Sequence, residues 1–425
     1  MDDLKGKRLL LLGGTGLMCG AVEAAKRLDV YTIVTDYFPH SPAKEIADKS
    51  YNISTTDIEA LVQMARNEKI DGVFTGFSDI NLYSARTLCD RLGLPFYATR
   101  EQLELTTNKL KFKQLCRNYG VPTVKQYELD AACKREHLRN ISYPVMLKPA
   151  DSYASKGCSV CTNEGELIEA VKKALPFSAS RQIVVEQYMN PQNCEDLVIS
   201  YFFINGKAYL HFVGDRFTNS EQDGFAPLAA AIISPSKYLE EYLQKLDKKV
   251  REMFCAIGIQ NGRLFIQAFH DKNGFYFYEM GFRFSGGEEY IPLQAEYGID
   301  ELSMMIHHSI TGKILEQKEI EPCMARFKSS YCNLVFLCSA GMIKRIEGLE
   351  EVRRNPSVLR LSQLLQVGDS VSADGTLGQV LCRVTIREDT QTMLKQTIAQ
   401  IGRTIIAYDA NEKPMMLHAY GMDIK

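Results

Sequence analysis

Apolar and polar positions alternate in short blocks at the start of this chain, and the blocks lengthen further on. Residues 7–12 form an apolar run that stops in Gly13-Gly14-Thr15-Gly16. Helical spacing follows over 21–28, and a β-branched run over 30–35 ends at Asp36. The pattern predicts a helix over 61–67, a short buried strand over 72–75 and a helix over 80–92. Gly93 closes that last helix and Pro95 lies just beyond, the expected stop chemistry. Strands alternating with helices predict βαβ units on a parallel sheet.

The next region mixes the two periods. Thr106-Thr107-Asn108 offers capping side chains to a helix over 109–118, which Gly120 and Pro122 end. Residues 143–149 read as a strand between two prolines, and 151–160 as a small, polar stretch that turns strand-like. Strand runs dominate from 184 to 325, at 197–204, 208–214, 264–270 and 275–280, and one helix, 236–257, interrupts them. Asn205-Gly206 and Asn273-Gly274 are hairpin turn signals between such runs. The last region predicts strands over 331–339, 341–346, 357–361 and 379–386 and a helix over 390–401, with turns at Gly368-Asp369 and Asp374-Gly375. The chain thus divides into 1–98, 99–185, 186–325 and 326–425.

Composition narrows the classes. Fifty Lys+Arg against 52 Asp+Glu leave a formal charge of −2, without the basic excess of a general nucleic-acid binder. No apolar run approaches the ~20 residues that cross a bilayer, and the acidic opening with its short run at 9–12 is not a secretory signal. Twelve cysteines include one C-x-x-C pair, Cys158 and Cys161, with no second pair or nearby His to complete a zinc set. They read as reduced thiols of a cytoplasmic enzyme.

Several residues invite chemistry. Gly14 and Gly16 with Asp36 suggest a dinucleotide fingerprint, although G-x-G-x-x-G would require glycine at Cys19. A tight strand-to-helix turn is the plainer explanation, and an anion at the helix N-terminus is the next. Lys109 opens a helix and Lys148 ends an apolar strand, where an ammonium group calls for an anion; each alone also suits a solvated surface. The loop Asp151-Ser152-Tyr153-Ala154-Ser155-Lys156-Gly157 has free backbone donors for phosphates but is not a P-loop. The strand end Glu186-Gln187-Tyr188-Met189 can present its backbone to an adenine edge, and Glu195 can accept from ribose hydroxyls. Gln267 and Glu279 lie on two strands joined by Asn273-Gly274, which can bring both oxygens to one face as Mg²⁺ ligands; a solvated cross-strand pair is the plainer alternative. Arg283 follows, with the planar fork that grips carboxylates and phosphoryl groups.

In this order these elements resemble the ATP-grasp superfamily of carboxylate–amine ligases. The resemblance is carried by Asn108-Lys109, the strand ending Met146-Leu147-Lys148-Pro149, the loop ending Lys156-Gly157, Val185-Glu186-Gln187-Tyr188, Glu195, Gln267 and Glu279-Met280-Gly281-Phe282-Arg283. It implies an α/β and α+β architecture: a Rossmann-like pre-ATP-grasp domain, a two-subdomain ATP-grasp fold and a C-terminal domain like those of biotin carboxylases and L-amino-acid ligases. ATP phosphates would meet Lys109, Lys148 and the loop residues Ser152, Ser155, Lys156 and Gly157. Glu186, Gln187, Tyr188 and Met189 would hold adenine, Glu195 the ribose, Gln267 and Glu279 Mg²⁺, and Arg283 the acceptor or acyl phosphate. Gly281 departs from the family's E-x-N-x-R by lacking the asparagine ligand.

The implied activity is an ADP-forming, ATP- and Mg²⁺-dependent ligase joining a small-molecule carboxylate to an amine. A homodimer is compatible, and neither nucleic acid nor membrane is an expected partner. Two other readings stand beside it: an NAD-linked oxidoreductase built on Gly14, Gly16 and Asp36, and a non-catalytic nucleotide-binding protein, for which Gly281 speaks.

Overall fold

Four parallel strands open the fold, in the order Lys49–Tyr51, Tyr31–Thr35, Arg8–Leu12 and Gly72–Phe74. They belong to a computed structural model that describes residues 4–152, 155–219, 227–315, 320–418 and 420–421. The four leucines of the first run explain the layering, because successive strand side chains point to opposite faces. Leu9 and Leu11 pack with Ala21, Val22, Leu302 and Met305, whereas Leu10 and Leu12 pack with Leu61, Val62 and Leu88. Both faces are covered, as a parallel sheet requires.

The glycine run that suggested a dinucleotide serves packing instead. Asp36 is buried, and its carboxylate accepts from the N–H groups of Gly14 at 2.8 Å and Phe38 at 2.9 Å. A Cβ on Gly16 would lie 1.9 Å from the carbonyl oxygen of Gln363, so a C-terminal strand closes over the loop.

A second, antiparallel sheet of four strands runs Gln126–Tyr127, Ile183–Gln187, Val145–Pro149, Ser159–Cys161. The helix Glu164–Ala174, capped by Asn163, buries Leu167 and Val171 against Val145, Leu147 and Val185. The third sheet has eight antiparallel strands. Its order is Gly274–Gly281, Gly262–Asp271, Glu195–Ile204, Lys207–Asn219, Leu228–Ser234, Ser330–Leu337, Val380–Glu388, Val358–Gln363. Asn205 and Gly206 both take positive φ, 49° and 80°, the two-residue hairpin that Asn-Gly favours. The sheet continues through the expected boundary near 326, where Ala231 pairs with Leu334.

Three expectations need correction. The helix expected over 236–257 is two, Leu239–Lys245 and Asp247–Ala256, because Leu246 leaves helical geometry while its side chain stays in the core. The region read as mainly strands holds two more helices, Tyr290–Tyr297 and Glu301–Thr311. The latter is buried from Glu301 through Ser309, so it shows no polar stripe and no 3.6 period to read. The run at 341–346 is two short strands, Gly341–Met342 and Arg345–Glu347, which pair with different partners.

Candidate nucleotide site between two sheets

Strand register brings the first charges together. Met146 lies opposite Glu186, which places Lys148 and Glu186 diagonally on one face of the second sheet. Lys148 Nζ reaches Glu186 Oε2 at 3.0 Å. Lys113, one turn after Lys109 on the helix Lys109–Asn118, brings its Nζ to 2.6 Å from Glu186 Oε1 and donates to the Val124 carbonyl at 2.9 Å. All three side chains are buried. Burial alone would raise the Glu186 pKa, but Lys148 and Lys113 outweigh it and hold the carboxyl below its usual range. Burial opposes the charge of Lys148 too, yet Glu186 and then Glu279 push its pKa up. Lys113 is pulled down by burial despite the same carboxylate. The Lys148 ammonium also stands 4.8 Å from the centre of the Tyr278 ring.

Helix capping fixes the second cation. Asn108 Oδ1 accepts from the N–H groups of Leu110 and Lys111, which sets Lys109 at the helix start. Lys109 Nζ donates to the Ser152 carbonyl at 2.7 Å and lies 3.8 Å from Glu279 Oε1. It thereby ties the phosphate-loop candidate to the third sheet. Tyr153 and Ala154 of that loop lie outside the described residues. Ser152 Oγ donates to the Lys156 carbonyl at 2.7 Å, and Gly157 takes φ +74°.

On the third sheet Gln267 pairs directly with Glu279, with a bulge immediately after Gln267. The two oxygen-bearing side chains therefore share a face, and the Glu279 side chain is 36% exposed. An amide oxygen and a carboxylate side by side fit a hard divalent cation. Next to them Arg216 pairs with Asp196, and the Tyr278 hydroxyl donates to Asp196 Oδ1 at 3.1 Å.

These groups enclose a cavity of about 420 Å³, within the range of small-molecule sites. Lys109, Lys148, Ser152, Ser155, Glu186, Gln187, Tyr188, Met189, Glu195, Gln267 and Glu279 all line it. Among the expected residues Lys156, Gly157 and Arg283 do not. The Arg283 guanidinium is held instead by Asp79 of the N-terminal region, from Nε at 2.7 Å and Nη2 at 2.5 Å, and Nη1 donates to the Phe284 carbonyl. Glu195 pairs with Lys237 at 2.8 Å. Gln187 and Tyr188 use their N–H groups on the carbonyls of Lys125 and Pro144.

Cys158, Asp196, Arg216, Phe217, Tyr278 and Tyr420 also line the cavity and were not foreseen. The spacing of Lys113 from Lys109 is a helical i,i+4 signal that could have found the second partner of Glu186. Arg216 and Tyr420 carry no local signal. Gly281 has a steric explanation: a Cβ there would lie 2.5 Å from the Phe265 ring, which fills the space an asparagine needs.

Cationic and acidic side chains from two sheets converge on one cavity, an arrangement that suits a polyphosphate with a divalent cation. Residues 108–289 match the family model for the carbamoyl-phosphate synthase L chain, ATP binding domain. The formate-dependent phosphoribosylglycinamide formyltransferase of Methanocaldococcus jannaschii is 26% identical over 62% of this chain and 68% of its own length. That of Sulfurisphaera tokodaii is 28% identical, over 47% of this chain and only 51% of the relative. The chain thus spans about half the length of that relative. The crystal structure of L-amino acid ligase from Bacillus licheniformis superposes with a TM-score of 0.77 at 21% identity, covering 96% of this chain and all of that one. The biotin carboxylase domain of Hydrogenobacter thermophilus 2-oxoglutarate carboxylase, in complex with MgADP and bicarbonate, gives 0.78 at 18% identity, over 96% and 91%. Residues 108–289 thus resemble the ATP-binding domain of that family, and the chain as a whole shares the fold of these two solved structures.

Proposed function

We propose that this protein is an ADP-forming ligase that uses ATP and Mg²⁺ to join a small carboxylic acid to an amine. The observation that carries the reading is the convergence of Lys109, Lys148 and the Gln267–Glu279 pair on one cavity between two sheets. Cations there match the phosphates and the oxygen pair matches a divalent ion.

The adenine end falls to Met189, since the N–H groups of Gln187 and Tyr188 are already bonded within the protein. Glu195 faces the ribose, with Lys237 as its counter-ion. Lys109 and Lys148 bind phosphate oxygens, and the loop around Ser152 and Ser155 covers them and excludes water. Mg²⁺, held by Gln267 and Glu279 when bound, neutralises phosphate charge. A carboxylate oxygen of the first substrate attacks the γ-phosphorus as ADP leaves. The amine then attacks the acyl carbon, phosphate leaves, and the amine proton passes to phosphate or solvent. Arg283 lies outside the cavity lining, at the end of the metal hairpin with Asp79 fixing the plane of its guanidinium, and we assign it the orienting of the carboxylate.

We further propose a homodimer in the cytoplasm. The Hydrogenobacter domain is described as a dimer, and all twelve cysteines here are free thiols. A screen of carboxylic acids crossed with amines, read by ADP release, tests the reading. An ¹⁸O label in the carboxylate should appear in the released phosphate; label kept wholly in the product would exclude an acyl phosphate.

A further inference from the structure

A segment near the C-terminus reaches the same cavity through Tyr420. The Leu417 N–H donates to the Leu337 carbonyl at 2.9 Å, and Met416 bridges to Cys338, so this segment is fastened to the C-terminal module. The Asn219 side-chain amide then donates to the His418 carbonyl at 3.0 Å. Tyr420 follows, its ring centre 4.4 Å from that of Phe217, and both rings line the cavity with Glu195. A segment fastened at three points and placing an aromatic pair on the cavity forms part of its wall.

We propose that Tyr420 positions the nucleotide at the ribose end of the site, so that ATP affinity depends on the docked C-terminal tail. This rests on the ATP reading above and extends it, because it assigns part of the nucleotide site to a segment outside the matched region 108–289. The ring does the work by packing. Opening the wall would let water reach the ribose and phosphates and weaken the ionic contacts deeper in. The phenol stays neutral at ordinary pH, since burial, then Cys332, Asp215 and Glu195, push its pKa up to about 12.

The test compares Tyr420→Ala and Tyr420→Phe with wild type and Lys148→Ala, in the full chain, by calorimetric titration with ATP-Mg. Losing an aromatic contact of this kind corresponds to a roughly three- to tenfold rise in Kd. That rise is expected for Tyr420→Ala, with most of the affinity restored in Tyr420→Phe. The unliganded melting temperature should stay near wild type, and KM for ATP should rise while KM for the acceptor does not. If wild type and Lys148→Ala bind ATP equally, the ATP reading itself fails. If Lys148→Ala loses ATP but Tyr420→Ala matches wild type, the tail is only a surface strap and this inference is overturned. Equal losses in Tyr420→Ala and Tyr420→Phe would overturn it as well, by moving the role from ring to hydroxyl.

Discussion

Arg283 and Asp79 form a two-pronged ion pair that joins the strand leaving the Gln267–Glu279 hairpin to the first residue of the helix Asp79–Leu92. The N-terminal region thereby fixes the orientation of this guanidinium. Both side chains are largely covered, at 13% and 20% exposure, so the pair is more than a surface contact.

Arg283→Lys should retain ATP binding and lose carboxylate-dependent turnover, since a lysine cannot reproduce the planar fork. Asp79→Asn should act in the same direction but less, through a misaligned arginine, by about tenfold in kcat. Steady-state ADP release with and without acceptor checks both. Normal turnover in Asp79→Asn would sever the two residues functionally.

Lys148→Ala should weaken ATP by about 1.5–3 kcal/mol, the worth of a charge-assisted contact. Glu186 keeps Lys113 as a partner at 2.6 Å, so the variant should still fold. An unchanged thermal shift with ATP-Mg would remove Lys148 from the site.

Glu279→Gln should raise the Mg²⁺ concentration needed for half-maximal rate, because the carboxylate charge goes while the shape stays. Gly281→Asn will not simply add a ligand. Its Cβ collides with Phe265, and such overpacking costs about 1–3 kcal/mol. The double change Phe265→Ala with Gly281→Asn makes room. A metal titration that tightens only in the double variant is the expected result; tightening in the single variant would refute the steric account.

Acid stability should depend on Lys113. Glu186 has its pKa lowered in the fold, so its contribution is present above the unfolded carboxylate value of about 4.3 and is lost as pH falls through the lower folded value. Lys113→Met removes one of the cations that depress it. The acid-unfolding midpoint, followed by circular dichroism, should therefore move to higher pH in this variant.

Much of the site was legible because it lies on regular elements. Lys148, Glu186, Gln267 and Glu279 sit on strands whose alternation and Asn-Gly turn were readable, and Lys109 follows a clear cap. Arg283 was placed at the acceptor from its distance along the chain, yet its partner Asp79 comes from a region 204 residues away. No local pattern reports such a contact. The same holds for Tyr420, brought to Phe217 by tertiary packing alone. The helix Glu301–Thr311 escaped for the opposite reason: complete burial erased the contrast on which periodicity depends.

The eight-stranded sheet has a consequence for how the molecule comes apart. Ser330–Leu337 pairs with Leu228–Ser234 through four residue pairs, so chain from beyond residue 326 completes a sheet begun more than a hundred residues earlier. A fragment ending near 325 would leave the backbone donors and acceptors of Leu228–Ser234 bare along an apolar edge, an invitation to intermolecular pairing. The C-terminal region is thus not a detachable appendage, and heat or denaturant should melt it together with the strands that carry Gln267 and Arg216 in one cooperative step.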